Sequence, residues 1–402
     1  MDKPDPKNQH ECVFFFPGQG EGGCHLLGYG VESMFEVETA VQNSWRSLDS
    51  WISQQNDWVF CWLCYDGKNS IERLTSTYSD KLKFPQLMFV VPQHVVKWNE
   101  TFVEVLKGEW SEDFRKFSDR LLPDYYERVD FTPRLTKEEY LFSVQNLLSH
   151  IQAGDIYEVN FCQEFFAEQK ITSPLNTWKK LRELTMAPHS AFVQFDSLYA
   201  MCASPERYLA KTGSKVISQP IKGTIRRGAS EMEDNYLKHE LLHNPKERSE
   251  NVMIVDLVRN DLSKSAQRGT VKVEELFGVH TFKTVHHLMS TIASEPKPGT
   301  TFSQLICDTF PMGSMTGAPK VSAMKLIDQY EHSNRGLYSG TMGYITPDGG
   351  FDLNVVIRTV LYNDALPYVS YHVGGAITAQ CDPEQEYQEC LLKAQAMMKA
   401  LS

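Results

Sequence analysis

The chain has 402 residues, 42% hydrophobic and 23% charged, ordinary globular proportions that allow one large domain or two smaller ones. A formal charge of -11 argues against binding to nucleic acid or to a membrane surface, and an anionic substrate would need local basic groups or a metal. Nine scattered cysteines fit a reducing compartment, no apolar run nears membrane-spanning length, and residues 1–10 carry no signal pattern, so a soluble cytoplasmic protein is expected.

Cys12-Val13-Phe14-Phe15-Phe16 reads as a buried strand. The segment 18–23 formally matches the dinucleotide fingerprint GxGxxG, but Gly28 and Gly30 oppose the helix that must follow, and a turn is expected. Cys24 lacks the second glycine of a nucleophile elbow. Cys61 and Cys64 lie in the apolar run 58–65 without further ligands, so a buried strand is read there rather than zinc. Residues 31–125 show no chemistry. The charged, proline-bearing segment 119–133 marks a boundary between a β-rich region, 1–130, and a second region, 131–402.

Thr136 and Glu139 form a capping box for a helix with Leu141, Val144, Leu148 and Ile151 on one face, ended by Gly154. An alternating strand follows over 155–161, with Glu158 and Asn160 on one face; that face meets either solvent or a substrate. Pro174 starts a helix. Short strands near 191–195, 198–202, 207–210 and 215–218, joined by tight turns, read as an antiparallel meander. Glu206 stands at a boundary in it, as a general acid or a strand-end charge.

Gln219-Pro220-Ile221-Lys222-Gly223-Thr224 closes the last of these strands. Pro220 has no N–H for the ladder, and Gly223 admits close backbone approach. Lys222 is therefore either a snorkelling surface lysine or a partly desolvated amine with a nucleophile's pKa. Asn244-Pro245-Lys246-Glu247 reads as a helix start. Glu247 is a capping partner there, or it pairs with Glu250 on one face as ligands for a hard cation such as Mg²⁺.

His286 and His287 sit in an apolar setting that favours satisfied core histidines. The loop 311–320 opens a helix at Pro319, a geometry that binds anions. Strands are expected over 338–345, 351–362 and 367–373, the first two joined by a hairpin turn at 347–350. Arg358 is an edge residue or an anion anchor, and Gly374 and Gly375 end the third strand. Asp382 and Pro383 start a terminal helix with Tyr387, Leu391, Ala394, Met398 and Leu401 buried, placing Glu386 and Glu389 on the other side.

From Thr136 to Leu401 these pieces resemble the chorismate-utilising enzymes, the anthranilate, aminodeoxychorismate, isochorismate and salicylate synthases. The carriers, in the family's order, are GDIYEVN, SPERYL, QPIKGT, KERSENVMIVDLVRND, VHHLMSTI, GSMTGAPK, GTMGYI, IRT, VGGAI and DPEQEYQE. The resemblance implies an α+β fold of large, mostly antiparallel sheets in a sandwich with helices outside. Lysine at 222, where the other branches have alanine, resembles the aminodeoxychorismate branch. By that resemblance Lys222 attacks C2 of chorismate as the C4 hydroxyl leaves, and ammonia then adds at C4; anthranilate formation is the alternative. Glu206 matches the general acid. Glu247 and Glu389 match direct Mg²⁺ ligands, with Glu250 and Glu386 acting through water. Tyr344 and Arg358 match contacts to the enolpyruvyl carboxylate. Thr224, His287, Ser314, Thr316, Lys320, Gly374 and Gly375 match the remaining pocket. Glu158 stands where the aminating enzymes of the family usually have glutamine and the water-using branch a lysine base, and would hold ammonium or accept a proton. Ammonia is expected free or from a separate glutamine amidotransferase subunit.

Overall fold

The computed structural model describes residues 10–18, 23–110, 117, 127–283 and 285–402. Gln19–Gly22 of the glycine-rich match and most of 111–126 lie outside them. The described residues form two large antiparallel sheets with helices packed against them, as expected. One sheet runs in the order Gly317–Ala318, Glu158–Ala167, Tyr368–Thr378, Thr359–Asn363, Leu198–Ser204, His189–Phe195, Cys12–Phe16, His25–Tyr29, His94–Trp98 and Val103–Lys107. The other runs Ile221–Arg226, Val285–Ser294, Lys215–Gln219, Arg207–Thr212, Phe351–Asn354, Thr341–Ile345, Val59–Leu63, Leu87–Val91 and Ser33–Val37. Strands from before residue 130 pair with strands from after it in both sheets.

The sheets face each other across an apolar core. Phe14 of the first meets Phe60 and Trp62 of the second, with ring centroids 5.6 and 6.0 Å apart. Cys61 and Cys64 are free and buried there. Alternation along each strand sends the intervening residues to the other face. On the first sheet that face is covered by the helices Lys137–Ala153, Pro174–Thr185 and Pro383–Ala400. The first of these is closed at its start by the reciprocal Thr136–Glu139 bonds and at its end by Gly154, whose φ is +85°.

The expected single meander is instead divided between the sheets. Strands His189–Phe195 and Leu198–Ser204 belong to one, Arg207–Thr212 and Lys215–Gln219 to the other. The chain crosses at Pro205-Glu206, because proline cannot donate to the ladder it would otherwise continue. The expected strand 351–362 divides in the same way, into Phe351–Asn354 and Thr359–Asn363. The two crossings are tied together, since Val355 N–H donates to Glu206 O at 3.0 Å. Glu206 and Arg358 thus both lie where the chain passes from sheet to sheet.

Trp178 anchors the helix Pro174–Thr185. It is fully buried against Phe15 and Phe192, and its indole N–H donates to Cys202 O at 3.0 Å. Trp178→Ala is expected to lower unfolding free energy by about 3–5 kcal/mol in a urea titration, through the cavity and the lost hydrogen bond.

Candidate active site

Lys222 does not close a strand. The chain resumes as Ile221–Arg226 after Pro220 and continues along the same partner, Val285–Ser294, with a register shift between Ile221 and Thr224. That shift is a β-bulge, which re-aims side chains. Gly223 makes it possible, because its φ of +86° would strain a residue with a side chain, and a Cβ there would also press on Glu247 Oε2 at 2.9 Å. The bulge therefore sets the Lys222 strand directly against the start of the helix Pro245–Ser265.

Lys222 lines a cavity of about 600 Å³. Glu206, Thr224, Glu247, Glu250, His287, Ser314, Arg358, Gly374, Gly375, Glu386 and Glu389 share its walls, so twelve of the sixteen candidate residues meet in one place. Lys222 Nζ donates to Glu158 Oε1 at 2.8 Å and lies 4.0 Å from Glu250 Oε2. Glu158 is 1% exposed and sits behind the lysine rather than in the wall. Burial alone would drag the lysine's pKa down; Glu158 and then Glu250 reverse that and raise it, so Lys222 rests as an ammonium. The desolvated-amine expectation is thus corrected in one respect: the amine is buried, but its proton is held by a carboxylate.

Glu206 hangs from the first crossing, 5% exposed, accepting the Ser314 hydroxyl at 2.6 Å. Burial pushes its pKa up to about 7, against the opposing pull of that hydrogen bond and of Lys222. It can carry a proton near neutral pH and give it up, which is what a general acid needs.

Two helix starts bring the other acids. Asn244 caps one through Oδ1, accepting from Lys246 and Glu247 N–H, and Asp382 caps the other. Glu247, expected either as a capping partner or as a site acid, is in the cavity wall with Glu250, Glu386 and Glu389. Burial raises the pKa of Glu247 and Glu386, and that of Glu250 to about 7. Burial acts the same way on Glu389, but Lys393, 2.7 Å away, outweighs it and lowers the value. Lys246 is 3.1 Å from Glu386 and 4.0 Å from Glu250. Among the described residues no three acids, histidines or cysteines converge as a finished metal cage. The donors are nonetheless hard oxygens of the kind Mg²⁺ takes, and Glu250 Oε1 is buried with no hydrogen-bond partner. The residues fit such an ion chemically, with the lysines holding part of their charge.

Arg358 faces the same space from the second crossing, with φ at +51°, unusual for a residue with a side chain. Of the cations lining the cavity, Lys222, Lys246, Lys393 and Arg226 have carboxylate partners. Arg358 has none among the described residues. A half-buried guanidinium that stays charged and has no carboxylate beside it among the described residues suits an anion. His287 accompanies it, bonded to Thr224 at 2.8 Å; burial and then Arg358 lower its pKa to about 4, so it is neutral.

Three further candidates lie outside the cavity wall. Lys320 does not face the cavity: its ammonium is tied to Asp261 at 2.5 Å and to Thr309 O at 2.9 Å. Thr316 is fully buried, its hydroxyl spent on Met312 and Gly313 carbonyls. Tyr344 packs in the ring cluster of Phe16, Trp58 and Phe60, outside the cavity wall. Tyr338, six residues earlier and outside that motif, lines the cavity instead, stacked on His372 with ring centroids 4.9 Å apart. Strand alternation cannot separate the two tyrosines, because Tyr338 lies in the turn before the strand Thr341–Ile345 begins. Nor do Gly374 and Gly375 end a strand. They sit inside Tyr368–Thr378, where a Cβ on Gly374 would meet Phe161 O at 2.0 Å.

Residues 14–399 match a family model described as chorismate binding enzyme. The chain is 41% identical over 274 residues to a probable chloroplastic aminodeoxychorismate synthase of Oryza sativa, covering 67% of this chain and 30% of that one. It is 33% identical over 363 residues to anthranilate synthase component 1 of Thermus thermophilus, covering 85% and 77%. The chain therefore spans under a third of the rice relative's length. In fold it is similar to the crystal structure of anthranilate synthase component I from Streptococcus pneumoniae, with TM-score 0.76, 23% identity and coverage of 99% and 94%.

The Glu206 proton has two readouts. A carboxyl whose pKa rises from 4.5 unfolded to about 7 folded stabilises the fold fully below pH 4.5, and that stabilisation is lost as pH climbs through 7. In Glu206→Gln the loss is removed, so the variant is expected to gain up to about 3 kcal/mol on the wild type between pH 5 and pH 8 in parallel urea titrations.

Proposed function

The chain belongs to the chorismate binding enzyme family, and from that premise we propose that it aminates chorismate at C4 with ammonia, giving 4-amino-4-deoxychorismate for 4-aminobenzoate and folate synthesis. The observation that carries this reading is the buried amine of Lys222 in the wall of an acid-lined cavity. A branch that adds water, or ammonia directly, has no need of a second amine there.

Lys222 passes its proton to Glu158 across their 2.8 Å contact, and the neutral amine attacks C2 of the ring. The ring double bonds shift and the C4–O bond breaks. Glu206 supplies the proton, so that water leaves rather than hydroxide. Ammonia then attacks C4, the double bonds shift back, and the C2–N bond to Lys222 breaks, returning the free amine. Arg358 holds the enolpyruvyl carboxylate, with Tyr338 beside it in the wall. Thr224, His287 and Ser314 shape the space between, and the backbone at Gly374 and Gly375 comes close because neither carries a Cβ. Glu247 and Glu389 would hold Mg²⁺, with Glu250 and Glu386 through water. When bound, the ion offsets the acids' charge and receives the ring carboxylate of a dianion that an acidic protein otherwise repels.

Ammonia comes from solution or from a separate glutamine amidotransferase subunit. Among the described residues no disulfide joins the cysteines, which supports a reducing compartment. No described helix is long and apolar enough to cross a membrane.

The test is the mass of the product formed from chorismate, Mg²⁺ and an ammonium salt. An aminated, enolpyruvyl-bearing product without pyruvate release is expected; pyruvate with a fluorescent aromatic amine would mean anthranilate formation instead. Treatment with EDTA is expected to abolish turnover and added Mg²⁺ to restore it.

A further inference from the structure

Behind the cavity wall lies a buried ion pair that touches none of the reacting groups. Arg335 is 3% and Glu331 2% exposed. An arginine has five N–H donors, and all five of this one are used. Nε donates to Glu331 Oε2 at 2.8 Å. One terminal nitrogen donates to Met315 O at 2.7 Å and Ser339 Oγ at 3.1 Å. The other donates to Asn160 O at 2.8 Å and Glu331 Oε1 at 2.6 Å. Glu331 Oε1 in turn accepts the Cys162 N–H at 2.7 Å, and the guanidinium lies over the Tyr65 ring at 4.7 Å.

The atoms that this pair ties together belong to three separate pieces of the cavity wall. Asn160 lies on the strand that carries Glu158, the partner of Lys222. Met315 adjoins Ser314, which donates to Glu206. Ser339 adjoins Tyr338. Asn160 also reaches the same loop directly, through Nδ2 to Ser314 O at 3.1 Å and its own N–H to Thr316 O at 2.8 Å. The geometry points to Arg335, held by Glu331, as a positioning residue that sets the distance between the Lys222–Glu158 pair and the Glu206–Ser314 pair. Arg358 and the acids of the two helix starts receive no bond from it, so anchoring of the ligand's carboxylates is independent of it. This inference rests on the site described above and on its turning over chorismate.

A buried ion pair replaced on both sides by apolar groups of similar volume generally folds as well as the original, while one broken on a single side does not. The double variant Arg335→Met/Glu331→Met therefore separates packing from positioning. It is expected to fold, with a urea midpoint lowered by the partners lost to Asn160 O, Met315 O and Cys162 N–H, to keep its KM for chorismate within about threefold, and to lose about 10- to 100-fold in kcat. A folded double variant with wild-type kcat would overturn the assignment, as would one whose loss lay wholly in KM. If the double variant does not fold, Glu331→Gln, which keeps the shape and an acceptor for Cys162 N–H, is read in the same way. A lower kcat at unchanged KM supports the inference and an unchanged kcat overturns it. A wild-type chain that consumed no chorismate would instead refute the reading of the site itself. Any wild-type product, aminated or not, leaves the kcat and KM comparison intact.

Discussion

A lysine ammonium and a carboxylate, 2.8 Å apart and nearly sealed from water, set the terms for everything around them. Neither charge would be tolerated there alone, because the cost of stripping water from an unpaired ion far exceeds what any local packing returns. Lys222 is aimed by a bulge that only a glycine at 223 permits. Glu158 is delivered from the other sheet, on a strand that Arg335 and Glu331 hold at Asn160 and Cys162. The pair thus joins the two sheets at one end of the sandwich, and the cavity is the space left in front of it.

The crossings explain why chemistry collects at this end. Where the chain leaves one ladder for the other, a short stretch lies outside both ladders, and Glu206 and Arg358 on two such stretches line the cavity. Pro205-Glu206 and the stretch before Thr359 are two such places, bonded to each other. One contributes a protonatable acid, the other an unpaired guanidinium. Helix starts at Pro245 and Pro383 supply the remaining acids. The cavity wall holds acids and bases in similar number, yet they are segregated: the acids are met by lysines, and Arg358 stands apart. A dianion with two separated carboxylates suits that division.

Much of this was legible in the residues. Capping boxes, prolines at helix starts and alternating runs gave the main elements, as in 136–154 and 383–400. The motif order drew twelve site residues to one cavity. Sequence reasoning failed where local pattern and long-range pairing differ. In the run 351–362 the change of sheet falls at Val355-Val356-Ile357, three strong strand formers with no proline or glycine beside them, so nothing local marks it. In the terminal helix the expected stripe holds at Ala394 and Leu401 but is otherwise displaced by one residue: Glu386, Cys390 and Met397 are buried while Met398 is 48% exposed. A buried glutamate at a cavity looks polar in any periodicity count, and the phase shifted to avoid it. Lys320 and Lys222 look alike as sequence, each beside a glycine-bearing loop, and only the fold shows that one amine is tied to Asp261 while the other, paired with Glu158, lines the cavity.

The central claim is that the Lys222 amine forms and then gives up a bond to the ring. The most direct measurement is amination of chorismate by the Lys222→Ala chain, supplied with Mg²⁺ and an ammonium salt and matched to wild type in its urea unfolding. The account predicts that this chain still binds chorismate and yields no aminated product. Aminated product at the wild-type rate would contradict it.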